Sequence, residues 1–291
     1  MSEKTRTNAW LGYPPEARLL ILNADDFGMC HAENEATIRA IRQGLASSCS
    51  LMMPCPWALH AIQLLAQNPS IPFGVHLTAV SEYAHYRWGP LTCPGHVPSL
   101  VDEAGYFYRE ERIPEFLEQV NLAELEREFR AQIKAALATG LKPTHLDSHC
   151  NIHLRRESIF DMVVGLAREY ELALRVSGWP FIDKVQGQGY PTNDYDLLDS
   201  YHVSAGDKLA HYCKLLQELP AGLSEWALHP GIGDAELQAI TPSWPIRQAD
   251  YDFLVSPAAR DLVREEGIII LSYEPLQKVW RNGAHPQSNA P

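Results

Sequence analysis

Apolar positions recur along this chain in two alternating patterns. Residues 19–22, Leu-Leu-Ile-Leu, form an unbroken apolar run, the pattern of a strand covered on both faces of a parallel sheet. Polar residues follow at once, Asn23-Ala24-Asp25-Asp26-Phe27-Gly28. Ile38, Ile41 and Leu45 then mark a helix with Gly44 near its stop. Residues 51–53 predict a second strand, Leu59, Ile62 and Leu65 a helix ending before Pro69, and residues 73–77 a third strand holding His76. Leu122, Leu125, Phe129, Ile133 and Leu137 follow 3-4-4-4 spacing, the clearest amphipathic helix in the chain. Gly140 and Pro143 close it. Residues 144–148 predict a strand, Ile159, Met162, Val163 and Leu166 a helix face, and residues 172–176 another strand. After an irregular stretch, Leu209, Tyr212 and Leu216 mark a helix, and residues 226–228 and 268–271 the last two strands.

Strand and helix alternate throughout, which implies a parallel sheet with helices outside it. About seven strands favour an α/β fold of barrel type over an open sheet, and 291 residues suit one such domain spanning 1–291. Residues 78–120 break the rhythm. They hold four prolines and seven aromatics, Tyr86 and Trp88 among them. This is either an aromatic-rich functional insertion or a small folded excursion whose aromatics pack on themselves.

Composition narrows the function. Hydrophobic residues make up 46% and charged residues 21%, a globular balance. The formal net charge of −12, with no basic cluster beyond pairs such as Arg155-Arg156, argues against nucleic acid as partner. No apolar run reaches membrane-spanning length, and the polar first eighteen residues lack the apolar core of a signal peptide. Six cysteines without a C-x-x-C pair read as reduced thiols of a cytoplasmic protein.

Asp25, Asp26, His76, His149 and His229 each fall at or just after the C-terminal end of a predicted strand. That edge is where parallel α/β folds build their sites. In extended backbone, neighbouring side chains point to opposite sides, so one of Asp25 and Asp26 would bind a metal while the other moves protons. The alternative is a turn that caps the following helix. Residues 144–153, Thr-His-Leu-Asp-Ser-His-Cys-Asn-Ile-His, place His145, Asp147 and His149 on one strand face, and His149 and His153 four apart, as ligands on one helical turn. So many polar groups need partners, and a metal would supply them. Not all three histidines need be ligands; some would orient ligands or touch substrate. His31, His60, His85, His96, His202, His211 and His285 are assigned no role.

These residues give the chain its resemblance to the YdjC/ChbG family of carbohydrate deacetylases, distant relatives of the NodB-type polysaccharide deacetylases. The matching pieces are Leu22-Asn23-Ala24-Asp25-Asp26-Phe27-Gly28, Gly74-Val75-His76-Leu77, Pro143-Thr144-His145-Leu146-Asp147-Ser148-His149 and His229-Pro230-Gly231. They stand in the family's order across most of the chain. Cys150-Asn151 departs from the further histidines that often follow the third piece. The resemblance implies a distorted (β/α) barrel, one divalent metal held by Asp26, His76 and His149, and Asp25 as general base. It also implies an N-acetylglucosamine-containing (chito)oligosaccharide or related small N-acetyl sugar as substrate, and a homodimer.

A metal-activated water would attack the acetyl carbonyl, with His229 as the acid that protonates the sugar nitrogen. Tyr86 and Trp88 would offer the sugar a stacking platform. His145, Asp147 and His153 would lie behind the ligands or against substrate. Asp/His ligation favours zinc and tolerates manganese, cobalt or nickel; magnesium is the unusual choice. The rivals are a metal-dependent phosphoester or cyclic-amide hydrolase on the same barrel, using His145, Asp147 and His153 for a second ion, and a sugar-binding homologue without catalysis.

Overall fold

The computed structural model describes residues 6–283; His285 and the first five residues lie outside them. Eight strands form one sheet in which every pairing is parallel: β1 (Arg18–Phe27), β2 (Ser48–Leu51), β3 (Phe73–Leu77), β4 (His145–Ser148), β5 (Ala173–Leu174), β6 (Leu198–Asp199), β7 (Gly222–Leu228) and β8 (Ile269–Leu271). Their order is β5-β4-β3-β2-β1-β7-β6, with β8 on β1. The central strand is shared three ways. β7 runs along one edge of β1 from Arg18 to Ala24, while β8 takes the other edge at Leu19–Ile21 and β2 takes it at Asn23–Phe27. The sheet curls into a half-barrel wrapped by helices, and no β5–β6 pairing closes it among the described residues. Across the opening, Thr192 Oγ1 donates to Leu174 O (3.1 Å) and Asn193 Nδ2 to Val176 O (2.6 Å).

The apolar run of β1 is continuous because both its faces are buried. Leu19 and Ile21 join a core with Val75, Leu77, Leu146 and Leu223. Leu20 and Leu22 join a second core with Tyr212, Trp226 and Phe253 under the outer helices. The expected seven strands become eight. The extra one is β6, two residues long and too short for any periodicity to register. The helix Leu122–Ala138 starts at Asn121, whose side chain accepts from Ala123 N and Glu124 N. It buries Leu125, Phe129 and Ile133 as expected, whereas Leu137 is 40% exposed. The helix Ala58–Gln67 departs further: it buries Ala58, Ala61 and Leu65 and leaves Leu59 82% exposed. Its buried face is built largely of small alanines, which leave no spacing of large apolar residues in the sequence.

Residues 78–120 form a folded excursion of short 3-10 turns, two isolated bridges and the helix Ile113–Gln119. Trp88, Phe107, Tyr108 and Phe116 are buried in it and continue the core. Two buried side chains of the helix Leu122–Ala138 tie it down. Glu128 accepts from Leu91 N and Thr92 N, and Gln132 pairs with both the N–H and the carbonyl of Thr78.

The histidine-rich segment divides between core and edge. His145 is fully buried, stacked on Tyr273 at 3.7 Å between centroids, with its ring over Gly74. His153 is equally buried. Its Nδ1 meets Ser148 Oγ at 2.5 Å and its Nε2 meets the Arg175 carbonyl at 3.0 Å, so both nitrogens are engaged in the core. The expected helical turn shared with His149 does not form. Cys150 and Asn151 both adopt left-handed backbone (φ 53 and 52) and reverse the chain between the two histidines.

A methyl group at position 74 would collide with the His145 ring. Gly74→Ala is therefore expected to lower stability by about 1–3 kcal/mol, read as a fall in the urea midpoint; an unchanged midpoint would show that the ring has room to give. Burial also drags the imidazoles down, His145 to about 3 and His153 to about 4. The unfolded chain takes up these protons near pH 6.5, so this stability is complete above that pH and is lost as pH falls toward the folded values. Between pH 6.5 and 5 the unfolding free energy should drop by up to about 1.4 kcal/mol per pH unit for each histidine. His153→Gln should flatten that slope in denaturant melts, and an identical slope in the variant would count against the assignment.

Candidate active site

At the C-terminal edge of the sheet lies a cleft of about 270 Å³ lined by Asp25, Asp26, His76, Glu82, His149, Tyr201 and His229, among others. β1 supplies the first two by an irregular route. Asn23 and Asp25 continue the inward parity of Leu19 and Ile21. A straight strand would then send Asp26 outward. Instead Asp26 takes left-handed backbone (φ 63), and both carboxylates line the cleft. Such a conformation costs about 1–3 kcal/mol for a non-glycine residue and is held by what the carboxylate meets. Neither aspartate caps the next helix, His31–Gln43, which begins at Cys30 without a side-chain cap.

Asp25 is gripped by Arg175 through two hydrogen bonds, Nη1 to Oδ2 at 2.7 Å and Nη2 to Oδ1 at 2.8 Å. The same guanidinium reaches Asp147 Oδ2 (3.0 Å) and Glu225 Oε1 (2.6 Å). Asn23 Nδ2 donates to Asp25 Oδ1 and to Ser50 Oγ, and Ser50 Oγ donates to Asp147 Oδ2. Burial pushes the Asp25 carboxyl up, but Arg175 and, to a lesser degree, His76 together hold the group below its usual range.

Asp26 faces the other way. Its Oδ1 lies 3.0 Å from His149 Nδ1 and 3.5 Å from His76 Nε2, and its Oδ2 accepts from Arg247 Nη1 at 2.9 Å. Burial raises this carboxyl too, and Arg247, His149 and His76 together hold it well below the usual range. Arg247 also contacts Glu33 (2.7 Å) and Tyr83 Oη (3.1 Å).

The other nitrogen of His76, Nδ1, lies 2.8 Å from Asp147 Oδ1. Burial pulls the His76 imidazole down, but Asp147, Asp26 and Asp25 bring it up to about 9. A neutral His76 keeps its proton on Nδ1 against Asp147 and turns the Nε2 lone pair toward Asp26. A lone pair facing a carboxylate is repulsive unless a proton or a cation lies between them. Asp26, His76 and His149 each offer one ligand atom within 4.8 Å of the others, all three residues buried. One oxygen and two imidazole nitrogens, with a carboxylate behind His76, is a donor set that fits a divalent metal.

The expected residues Asp25, Asp26, His76, His149 and His229 therefore converge. His229 lines the same cleft just past the end of β7, the strand beside β1, its Nδ1 3.1 Å from Ser200 Oγ and its ring edge-on to Tyr201 at 4.6 Å. Its backbone N–H is fixed by Asp250 Oδ2. Asp147 lies behind His76, whereas His145 and His153 stay in the core.

The aromatic platform is corrected. Trp88 is 2% exposed, donates through Nε1 to Val80 O, and packs edge-on against His149 at 6.0 Å. Tyr86 spends its hydroxyl on Met29 O. Neither lines the cleft; the aromatic that does is Tyr201. Sequence reasoning missed Arg175, Arg247, Glu82 and Tyr201, and gave no role to His202, which also lines the cleft. An arginine between Leu174 and Val176 at a predicted strand end was a usable signal for Arg175. Arg247 sits in a helix, Trp244–Val255, that no periodicity marked.

Known proteins resemble this chain over most of its length. The family pattern described as YdjC-like protein matches residues 19–265. A carbohydrate deacetylase of Enterococcus faecalis is 32% identical over 264 residues, covering 88% of this chain and 97% of the relative. A chitooligosaccharide deacetylase of Yersinia enterocolitica is 32% identical, covering 88% and 98%. A carbohydrate deacetylase of Thermus thermophilus is 35% identical, covering 85% and 90%. A crystal structure from Enterococcus faecalis V583, of a protein named for a suggested cleavage of cellobiose phosphate, superposes with a TM-score of 0.77 at 30% identity, covering 89% of this chain and 99% of that one. With a pattern match over most of its length and relatives of this similarity, the chain belongs to the YdjC-like family.

Proposed function

We propose that this protein is a metal-dependent hydrolase that removes the acetyl group from the amine of a small N-acetylated sugar, an N-acetylglucosamine-containing chitooligosaccharide or a close relative. The observation that carries the reading is the convergence of Asp26, His76 and His149 beside a second carboxylate, Asp25, that is held ionised. The names of the deacetylase relatives support the substrate class.

Asp26, His76 and His149 would hold the metal, zinc or another first-row ion before magnesium. Such an ion, when bound, polarises an acyl oxygen and makes water more acidic. Asp25 takes the proton from the attacking water. Arg175 keeps it anionic at neutral pH and aims it, at some cost in basicity. An amide's amine leaves well only when protonated, and His229, in the same cleft at the end of β7, supplies that proton, its ring oriented by Ser200. Tyr201 offers the cleft an aromatic face for a sugar ring.

The two-metal rival loses its support. His145 and His153 are committed to the core, and Asp147 is committed to His76 and Arg175. Cutting a glycosidic bond needs two carboxylates roughly 5–10 Å apart on either side of the sugar, which adjacent Asp25 and Asp26, each bound to its own arginine, do not offer.

Metal-stripped protein should release no acetate from diacetylchitobiose, and adding back zinc, cobalt, manganese or nickel should restore release without new reducing ends. New reducing ends without acetate would transfer the reading to glycosidic cleavage. Asp25→Asn and His229→Ala should each lower kcat by about 10²–10⁴ with zinc binding retained; unchanged turnover in His229→Ala would remove it as the acid.

A further inference from the structure

His149 is enclosed by carboxylates on both sides of its ring. Nδ1 meets Asp26 Oδ1 at 3.0 Å, and Nε2 lies 3.4 Å from Glu82 Oε2. Both Nε2 and that Glu82 oxygen are buried and neither makes a full hydrogen bond, so the 3.4 Å ion pair is the contact that answers both. His149 is 3% exposed, so water offers no general substitute. A buried ring N–H and a buried carboxylate oxygen, each otherwise unsatisfied, stabilise one another by more than an exposed pair would. The Cys150 thiol also approaches, but sulfur is a weak acceptor beside a carboxylate.

We infer that Glu82 is a positioning residue, whose carboxylate accepts from the Nε2–H of His149, holds the proton on Nε2 and so turns the Nδ1 lone pair toward Asp26. This rests on the metal centre proposed above and deepens it. Asp147 does the same for His76, in mirror image, with the proton on Nδ1 and Nε2 turned to Asp26. The two supports differ in origin. Asp147 comes from β4, two residues before His149, whereas Glu82 is carried by the excursion of residues 78–120. The excursion is held at this point by Arg247, whose Nη2 reaches Tyr83 Oη (3.1 Å) and comes within 3.9 Å of Glu82 Oε2. Trp88, from the same segment, backs the ring edge-on. The excursion thus has a definite task at the site: it closes the outer side of His149.

The test uses the full chain with ¹⁵N-labelled histidine, the His149 ring assigned by its loss in His149→Gln, and zinc affinity read by competition with a chromophoric chelator. Wild type should show a slowly exchanging Nε2 proton on His149. Glu82→Ala should abolish its protection and weaken zinc binding about 10–100-fold. Glu82→Gln, which keeps an acceptor oxygen at the same reach, should recover much of both. Equal zinc affinity and equal exchange in wild type and Glu82→Ala would overturn the inference. If wild type takes up no divalent ion, the metal-centre reading fails on its own. The pairing is then decided by the proton: protected in wild type and lost in Glu82→Ala supports it, and no difference rejects it.

Discussion

A single buried guanidinium organises the inside of this half-barrel. Arg175 is 1% exposed and meets three carboxylates, Asp25 from β1, Asp147 from β4 and Glu225 from β7. A charge taken out of water at this depth is tolerable only when it is paired and fully hydrogen-bonded. The pairing therefore fixes where three strands stand relative to one another. It sets Asp25 directly and His76 at one remove, through Asp147. Removing one partner of such a group costs about 3–5 kcal/mol, because the others are left buried without it. Core and site are here the same structure, and the chain could not keep its carboxylates in the cleft without the arginine beneath them.

A second arginine does the matching work outside the strand ends. Arg247 pins Asp26 Oδ2, Glu33 and Tyr83. The two adjacent aspartates are thus claimed by two different cations, one inside the barrel and one under the outer helices. That division gives identical side chains unlike surroundings. Asp25 has no imidazole in hydrogen-bond contact, while Asp26 is flanked by two. It is the physical basis for assigning one to proton transfer and the other to coordination.

Much of this was legible in the chain itself. Residues 19–22 announced a doubly covered strand, and five titratable groups at strand ends announced the cleft, because both depend on local pattern. What was not legible depends on partners far apart in sequence. The density of histidines at 145, 149 and 153 read as one site, yet Gly74 and Tyr273 claim His145, and Ser148 with the Arg175 carbonyl claims His153. Nothing near residue 149 signals that residues 82, 175 and 247 will close around the site. Trp88 illustrates the same limit: an aromatic in a long insertion reads as exposed until the core it fills is known. β6 is two residues long, and no period can be seen in two residues.

The opening between β5 and β6 leaves strand backbone without a neighbouring strand among the described residues. A barrel that closes has no free strand edges, but a half-barrel exposes the backbone of its last strand, a ready template for another chain. On β5 that edge is occupied. The Thr192 hydroxyl takes the Leu174 carbonyl, and the Asn193 amide takes that of Val176. Two side chains from a passing loop stand where a strand's N–H groups would otherwise dock. A threonine and an asparagine thus satisfy carbonyls that the open edge of β5 would otherwise leave free, and the sheet stays open beside its cleft.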